Sequence, residues 1–171
     1  ITFKNNIVNG YNTDGDGFIE SLKETFPEID ISKLEIAIFG AGGAAKSIAL
    51  SLSEQKPKKI SIFNRNLDRA VELVKNLKIF AEPLHVSELK NSDRSYGLLI
   101  NATPLGMTGV KSEETFDFEN IKGLNFFADI VYNPEKTKNM YLAEKQNIKI
   151  MGGLGMLLYQ AVPAFETFYG K

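Results

Sequence analysis

The stretch that most constrains this fold is residues 34–45, LEIAIFGAGGAA. A short apolar run, interrupted only by Glu35, meets Gly40-Ala41-Gly42-Gly43-Ala44-Ala45 and passes into residues 46–53, which read as a helix. Strand, glycine turn and helix, in that order, are the context in which the spacing G-x-G-x-x-A marks a dinucleotide site. Gly40 lets the chain turn sharply off the strand. Gly42 has no Cβ to hold off a pyrophosphate, and Ala45 lets the helix lie close to the sheet. The free N–H groups at the helix start, with the positive end of its dipole, then face the phosphates. The plain alternative is an ordinary tight strand-to-helix turn, and the next strand weighs against it.

That strand, residues 59–63 (KISIF), ends in Asn64-Arg65-Asn66. An NAD-binding unit of this kind carries Asp or Glu about 20 residues past the glycines, to hold the ribose 2′-hydroxyl. No carboxylate stands at this tip; Arg65 does, with Arg69 one helical turn further on. Two guanidinium groups suit a 2′-phosphate, because each donates charge-assisted, bidentate hydrogen bonds. The cofactor expected is therefore NADP rather than NAD. Read plainly, the same arginines are solvated surface charges.

The chain has 171 residues, a length for one domain of ordinary size, and its 43% hydrophobic content is enough to build a core. A net charge of -1 points away from nucleic acid or an acidic membrane as partner. With no cysteine there is no disulfide, thiolate zinc site or cysteine nucleophile, and one histidine, His85, makes a zinc site improbable. No signal peptide, bilayer-length apolar run or internal repeat is found, which fits a cytoplasmic location. The first residue is Ile1, inside a strand-like run, so the chain reads as a piece of something longer.

In chain order, residues 1–8 (ITFKNNIV) read as two short strands around a turn at Lys4-Asn5-Asn6, too little to stand alone in water. Asn12, Thr13 or Asp14 would cap a helix over 17–26, with Phe18, Leu22 and Phe26 on its buried face. Residues 67–77 form a helix with Ala70, Leu73, Val74 and Leu77 inward, and Ile79-Phe80 a short strand. Residues 96–101 (YGLLIN) form a central strand running into a loop at 102–107, at the end of the sheet where such folds place ligands. Residues 108–122 read as a polar excursion, 125–132 (NFFADIVY) as a strand, 137–146 as a helix and 148–151 as the last strand. A final helix over 156–169 has Leu157, Leu158, Val162, Phe165 and Phe168 as its apolar set and is kinked by Pro163. Alternating strands and helices give an α/β, doubly wound parallel sheet of the Rossmann type.

Six stretches, GYNTDG (10–15), FGAGGAAKS (39–47), FNRNLDRA (63–70), NATPLGM (101–107), DIVYNP (129–134) and GGLGMLLYQAVPAFE (152–166), together resemble the shikimate dehydrogenase family, including its quinate/shikimate relatives. They occur in the family's order and span nearly the whole chain. The family reduces 3-dehydroshikimate with NADPH, in the pathway to chorismate and the aromatic amino acids. It pairs an N-terminal substrate domain with a C-terminal Rossmann domain. The resemblance implies that residues 1–13 are a remnant of the first domain. Residues 14–171 are then the second, with the C-terminal helix packing back toward its partner. It implies Asp14 as the carboxylate that pairs with a catalytic lysine of the substrate domain, and Asp14, Tyr132 and Gln160 as substrate contacts. For the cofactor it implies Gly40, Ala41, Gly42, Gly43 and Ala44 at the pyrophosphate. Asn64, Arg65, Asn66 and Arg69 fall at the adenine-ribose phosphate, Ile130 and Gly153 near the nicotinamide, and Thr103 among the cofactor contacts. Asn66 replaces the family's usual threonine and Ile130 a frequent methionine.

Moving a hydride to a ketone leaves negative charge growing on oxygen, where a cation and a proton donor must stand. Asp14 cannot supply these alone; its use is to orient a lysine and keep it charged. Other readings are Asp14 as a helix cap, Tyr132 as a core tyrosine with one wet end and Gln160 on a solvated helix face. A non-catalytic NAD(P)-binding module would have no need of those three residues, and a methyltransferase would have none of the two arginines. Shikimate against quinate, and the oligomeric state, are not legible here.

Overall fold

The computed structural model describes residues 1–4, 7–91, 94–112 and 114–170. Its centre is a six-stranded sheet, every adjacent pair parallel, in the order β5-β4-β3-β6-β7-β8. The strands are β3 (Glu35–Phe39), β4 (Lys59–Asn64), β5 (Ala81–His85), β6 (Leu98–Asn101), β7 (Phe126–Asp129) and β8 (Lys149–Met151). β3 opens the winding and sits in the middle. The chain first moves outward through β4 and β5, then returns past β3 to β6, β7 and β8, the two-half arrangement of a Rossmann sheet.

Strand alternation sorts the core into two layers. Ile36 and Ile38 face one way, with α1 (Asp14–Thr25) and α2 (Gly43–Glu54) over them and Ala70 and Leu73 of α3 (Leu67–Val74) beside them. Ala37 and Phe39 face the other way, under α4 (Lys138–Lys145) and an aromatic cluster. Phe39 stacks on Phe63 with ring centroids 4.8 Å apart, and Phe116 meets Phe39 edge-on at 4.6 Å. α5 (Gly153–Tyr159) returns to the first layer beside α1, and α6 (Ala161–Tyr169) continues from it.

Several elements differ from the sequence reading. α1 begins at Asp14, three residues earlier than expected, because the Asn12 side chain accepts the Asp14 N–H at 2.9 Å and starts the helix there. α3 stops at Val74, and Leu77 is buried from the turn that follows. The strand expected at Ile79-Phe80 lies at Ala81–His85, so His85 ends an edge strand. The excursion over 108–122 is polar only in part: Phe116, Phe118 and Ile121 turn inward and roof the second layer. Each such burial stabilises the fold by about 1.5–3 kcal/mol. The last helix is two helices meeting at Gln160, and its expected apolar set, Leu157, Leu158, Val162, Phe165 and Phe168, is exposed.

The first residues form a separate antiparallel pair, β1 (Thr2–Lys4) and β2 (Ile7–Asn9), in the register Phe3 opposite Val8. The turn residues Asn5 and Asn6 lie outside the described residues. Ile7 and Val8 are exposed.

Candidate cofactor and substrate site

Because all six strands run parallel, their carboxyl ends share one edge, and each cofactor residue named from the sequence closes or follows one of those ends. Gly40–Ala44 follow β3, Asn64 closes β4 with Arg65, Asn66 and Arg69 after it, Thr103 follows β6, Ile130 follows β7 and Gly153 follows β8. The winding reverses between β3 and β6, where open α/β sheets take ligands.

The glycines of the first loop divide their work. Gly40 has φ +111°, and a Cβ built on it would lie 2.6 Å from the Ala102 carbonyl oxygen. Its N–H donates to the Phe63 carbonyl at 2.8 Å, and Ala102 N–H donates to the Phe39 carbonyl at 2.8 Å, so the loops after β3 and β6 touch. Gly42 is different: its backbone is extended (φ -84°, ψ -170°), and an added Cβ would meet nothing within 4 Å. The same open space lies over Gly43. Gly42 caps α2 without a side chain, and the first turn of that helix holds no acidic residue. Its leading N–H groups are therefore left to an anion from outside.

Arg65 and Arg69 are exposed, and neither guanidinium is paired with a carboxylate among the described residues. The loop that presents them is fixed internally. The Asn64 side-chain amide donates to the Asn66 carbonyl at 2.7 Å, and Asn66 Oδ1 accepts the Arg69 N–H at 3.2 Å, capping α3. Asn66, in the place of the usual threonine, thus serves the helix start.

At the other half of the edge lies a network unforeseen in the sequence. Asn101 and Asp129, the last residues of β6 and β7, are both fully buried. Asn101 Nδ2 donates to Asp129 Oδ1 at 2.9 Å and to the Leu105 carbonyl at 3.1 Å. Asn101 Oδ1 accepts both the Thr103 N–H at 3.1 Å and the Thr103 hydroxyl at 2.6 Å. Asp129 accepts further hydrogen bonds from the Val131 N–H at 3.1 Å and the Thr137 hydroxyl at 2.7 Å. Burial pushes its carboxyl above the usual carboxylate range, and the donors Thr137, Val131 and Asn101 oppose that rise. The signal available in the sequence was an Asn and an Asp each closing an apolar strand, YGLLIN and NFFAD. Such residues must find partners when buried.

On the substrate side, α5 acts as a strut. At its start Gly153 is buried, donates its N–H to the Val131 carbonyl at 3.2 Å, and has no room for a Cβ, which would lie 2.1 Å from the Ile130 carbonyl oxygen. At its end Gln160 abuts α1: a Cβ on Gly17 would fall 2.5 Å from Gln160 N. Two helical turns, about 10 Å, thus link the Ile130–Tyr132 turn to the first turn of α1, which carries Asp14. Asp14 is half-buried, Tyr132 exposed and Gln160 half-buried. The Asp14 carboxylate accepts no hydrogen bond and meets no lysine or arginine among the described residues. Among the same residues there is no group of three metal-binding side chains, and no helix is long and apolar enough to cross a membrane.

Residues 20–149 match the family described as shikimate / quinate 5-dehydrogenase. The chain belongs to the shikimate/quinate 5-dehydrogenase family. The matched span holds the glycine loop, the two arginines, Thr103, Ile130 and Tyr132, and leaves Asp14, Gly153 and Gln160 outside it. The shikimate dehydrogenase (NADP(+)) of Nitrosopumilus maritimus is 36% identical over 167 residues, which is 96% of this chain and 60% of that protein. The crystal structure of shikimate 5-dehydrogenase from Listeria monocytogenes, in complex with shikimate and NAD, has a TM-score of 0.83 at 30% identity, covering 99% of this chain and 62% of the other. A shikimate dehydrogenase structure in complex with NADP+ has a TM-score of 0.81 at 30% identity, over 99% and 60%. The chain therefore spans about 60% of the length of these shikimate dehydrogenase relatives.

Proposed function

We propose that this chain is the NADP(H)-binding portion of a shikimate dehydrogenase, serving the reversible reduction of 3-dehydroshikimate to shikimate in the full-length enzyme. The observation that carries the cofactor reading is the combination at the ends of β3 and β4. The face of Gly42 and Gly43 is open, the helix start behind it has no acid, and two arginines unpaired among the described residues stand at the tip of the next strand. When bound, NADPH supplies the hydride. The chain's own residues hold and orient. N–H groups of the glycine loop and α2 take the pyrophosphate, and Arg65 and Arg69 take the 2′-phosphate. Thr103, Ile130 and Gly153 border the nicotinamide end.

Asp14, Tyr132 and Gln160 form one wall of the substrate site. Asp14 steadies the lysine that meets charge developing on the carbonyl oxygen. The family resemblance puts that lysine on the substrate domain, which agrees with an Asp14 carboxylate that has no cationic partner among the described residues. α6, none of whose residues is buried, offers Val162, Phe165 and Phe168 as the packing face toward that domain.

Isothermal titration with NADP+ and NAD+ tests the cofactor reading. A charge-assisted hydrogen bond contributes about 1.5–3 kcal/mol, so NADP+ should bind roughly tenfold tighter or more. Arg65→Ala should weaken NADP+ and leave NAD+ nearly unchanged. Equal affinities, or tighter NAD+, would reject the assignment.

A further inference from the structure

Asp129 is a fully buried carboxylate with no place in the contact set above. Its two oxygens nevertheless reach three segments. Oδ1 takes Asn101 Nδ2 at 2.9 Å and the Val131 N–H at 3.1 Å, and Oδ2 takes the Thr137 hydroxyl at 2.7 Å. Through Asn101 the carboxylate reaches Thr103 and Leu105, in the loop after β6. Through Val131 it fixes the residue after Ile130. Through Thr137, whose Oγ1 also accepts the Met140 N–H at 3.3 Å, it ties in the cap of α4. The loop after β6 and Ile130 are two of the three segments assigned to the nicotinamide end, the third being Gly153. Ile130 N–H donates to the Asn101 carbonyl at 3.1 Å, and Asp129 adds the side-chain link between Asn101, the partner of Thr103, and Val131. The glycine loop and the arginines make no hydrogen bond to the side chains of this network; the link to the end of β3 is the backbone bond from Ala102 N–H to the Phe39 carbonyl.

We infer that Asp129 is a positioning residue for the nicotinamide half of the cofactor, setting the spacing between Thr103 and Ile130 through Asn101 and Val131. The inference rests on the NADP-binding reading. A buried carboxylate suits the task because ionic acceptors make shorter and stronger hydrogen bonds than amides, so the two loops are held to a narrower range of separations. An amide in its place keeps the shape. One of its two polar atoms is then a donor facing N–H or O–H donors, and the clamp loosens.

The test compares two ligands on the intact chain. NADP+ reaches both halves of the site; adenosine 2′,5′-bisphosphate reaches the arginines, the adenine side and, through its 5′-phosphate, the glycine loop, and has no nicotinamide end. Asp129→Asn should weaken NADP+ about tenfold, the worth of one charge-assisted hydrogen bond, and leave the bisphosphate within about twofold. If both ligands weaken alike, or neither does, Asp129 is merely structural and the inference is wrong. If Asp129→Asn does not fold, Thr137→Val takes its place. It removes the donor to Oδ2, and with it the acceptor for the Met140 N–H, and should show the same sign of difference between the two ligands; equal effects on both overturn the inference. Wild-type chain that binds neither ligand would instead refute the cofactor reading, which separates the two failures.

Discussion

At the scale of single residues, two glycines of one loop make opposite demands. Gly40 is required by the fold, since its positive φ and the 2.6 Å approach of a Cβ to the Ala102 carbonyl exclude any side chain. Gly42 is required only by what binds, since its φ of -84° suits any residue and its Cβ position is open. Gly40→Ala should therefore destabilise the protein, with strain and overpacking contributing about 1–3 kcal/mol each. Gly42→Val should lower stability by only about 1 kcal/mol, through the poorer helix cap, and abolish NADP+ binding. Thermal unfolding and titration of both variants check this. A Gly42→Val protein that binds NADP+ normally would reduce the loop to a plain strand-to-helix turn. The glycine spacing and the arginine pair were legible in the sequence because each acts locally. Asp129 was not, because its importance comes from partners at positions 101, 131 and 137, brought together only by the pairing of β6 with β7.

At the scale of elements, legibility followed the same divide. β3, β4, β6 and β7 are apolar runs buried on both faces, and the sequence placed them within two or three residues at either end. β5 escaped because only Leu84 of its five residues is buried and Pro83 lies within it, which an edge strand tolerates. The break between α5 and α6 follows from Pro163. Its ring has no N–H for the carbonyl four residues earlier, Tyr159, and crowds it, and the helix divides at the next residue, Gln160. That break faces α1. Gly17 lies against Gln160, and Gly15, whose Cβ would fall 2.2 Å from Ser51 Oγ, lies against α2. The helix that begins with Asp14 is thus seated by two missing Cβ atoms. Gly17→Ala should push the α5–α6 junction away from α1 by the width of a methyl group. We expect a loss of about 1–3 kcal/mol from overpacking with NADP+ affinity retained, because Gln160 is a substrate candidate and not one of the residues proposed to hold the cofactor. Loss of NADP+ binding at full thermal stability would contradict this placement.

At the scale of the molecule, the cofactor and substrate surfaces are unequal. The edge proposed for the cofactor draws on five strand ends of one sheet. The substrate wall has three candidate residues, on α1, on the turn after β7 and at the α5–α6 junction, and nothing among the described residues stands opposite them as a charged partner of Asp14. Hydride transfer needs a near-attack distance and an oriented proton donor together, and a single wall gives neither. The 171-residue chain should therefore bind NADP+ yet produce no rise in absorbance at about 340 nm, the reduced nicotinamide band, with shikimate or with quinate. The strongest internal candidates for the missing cation are engaged elsewhere. Lys46 stands 3.9 Å from Glu72, and Lys136 pairs with Glu144 and lies 4.6 Å from the centre of the Tyr141 ring. Steady turnover by the purified chain would mean that one of these lysines leaves its partner for Asp14, and loss of that turnover in Lys46→Ala or Lys136→Ala would identify which. Absence of turnover with intact NADP+ binding is the result expected when the relay's cation comes from a domain the 171 residues do not contain.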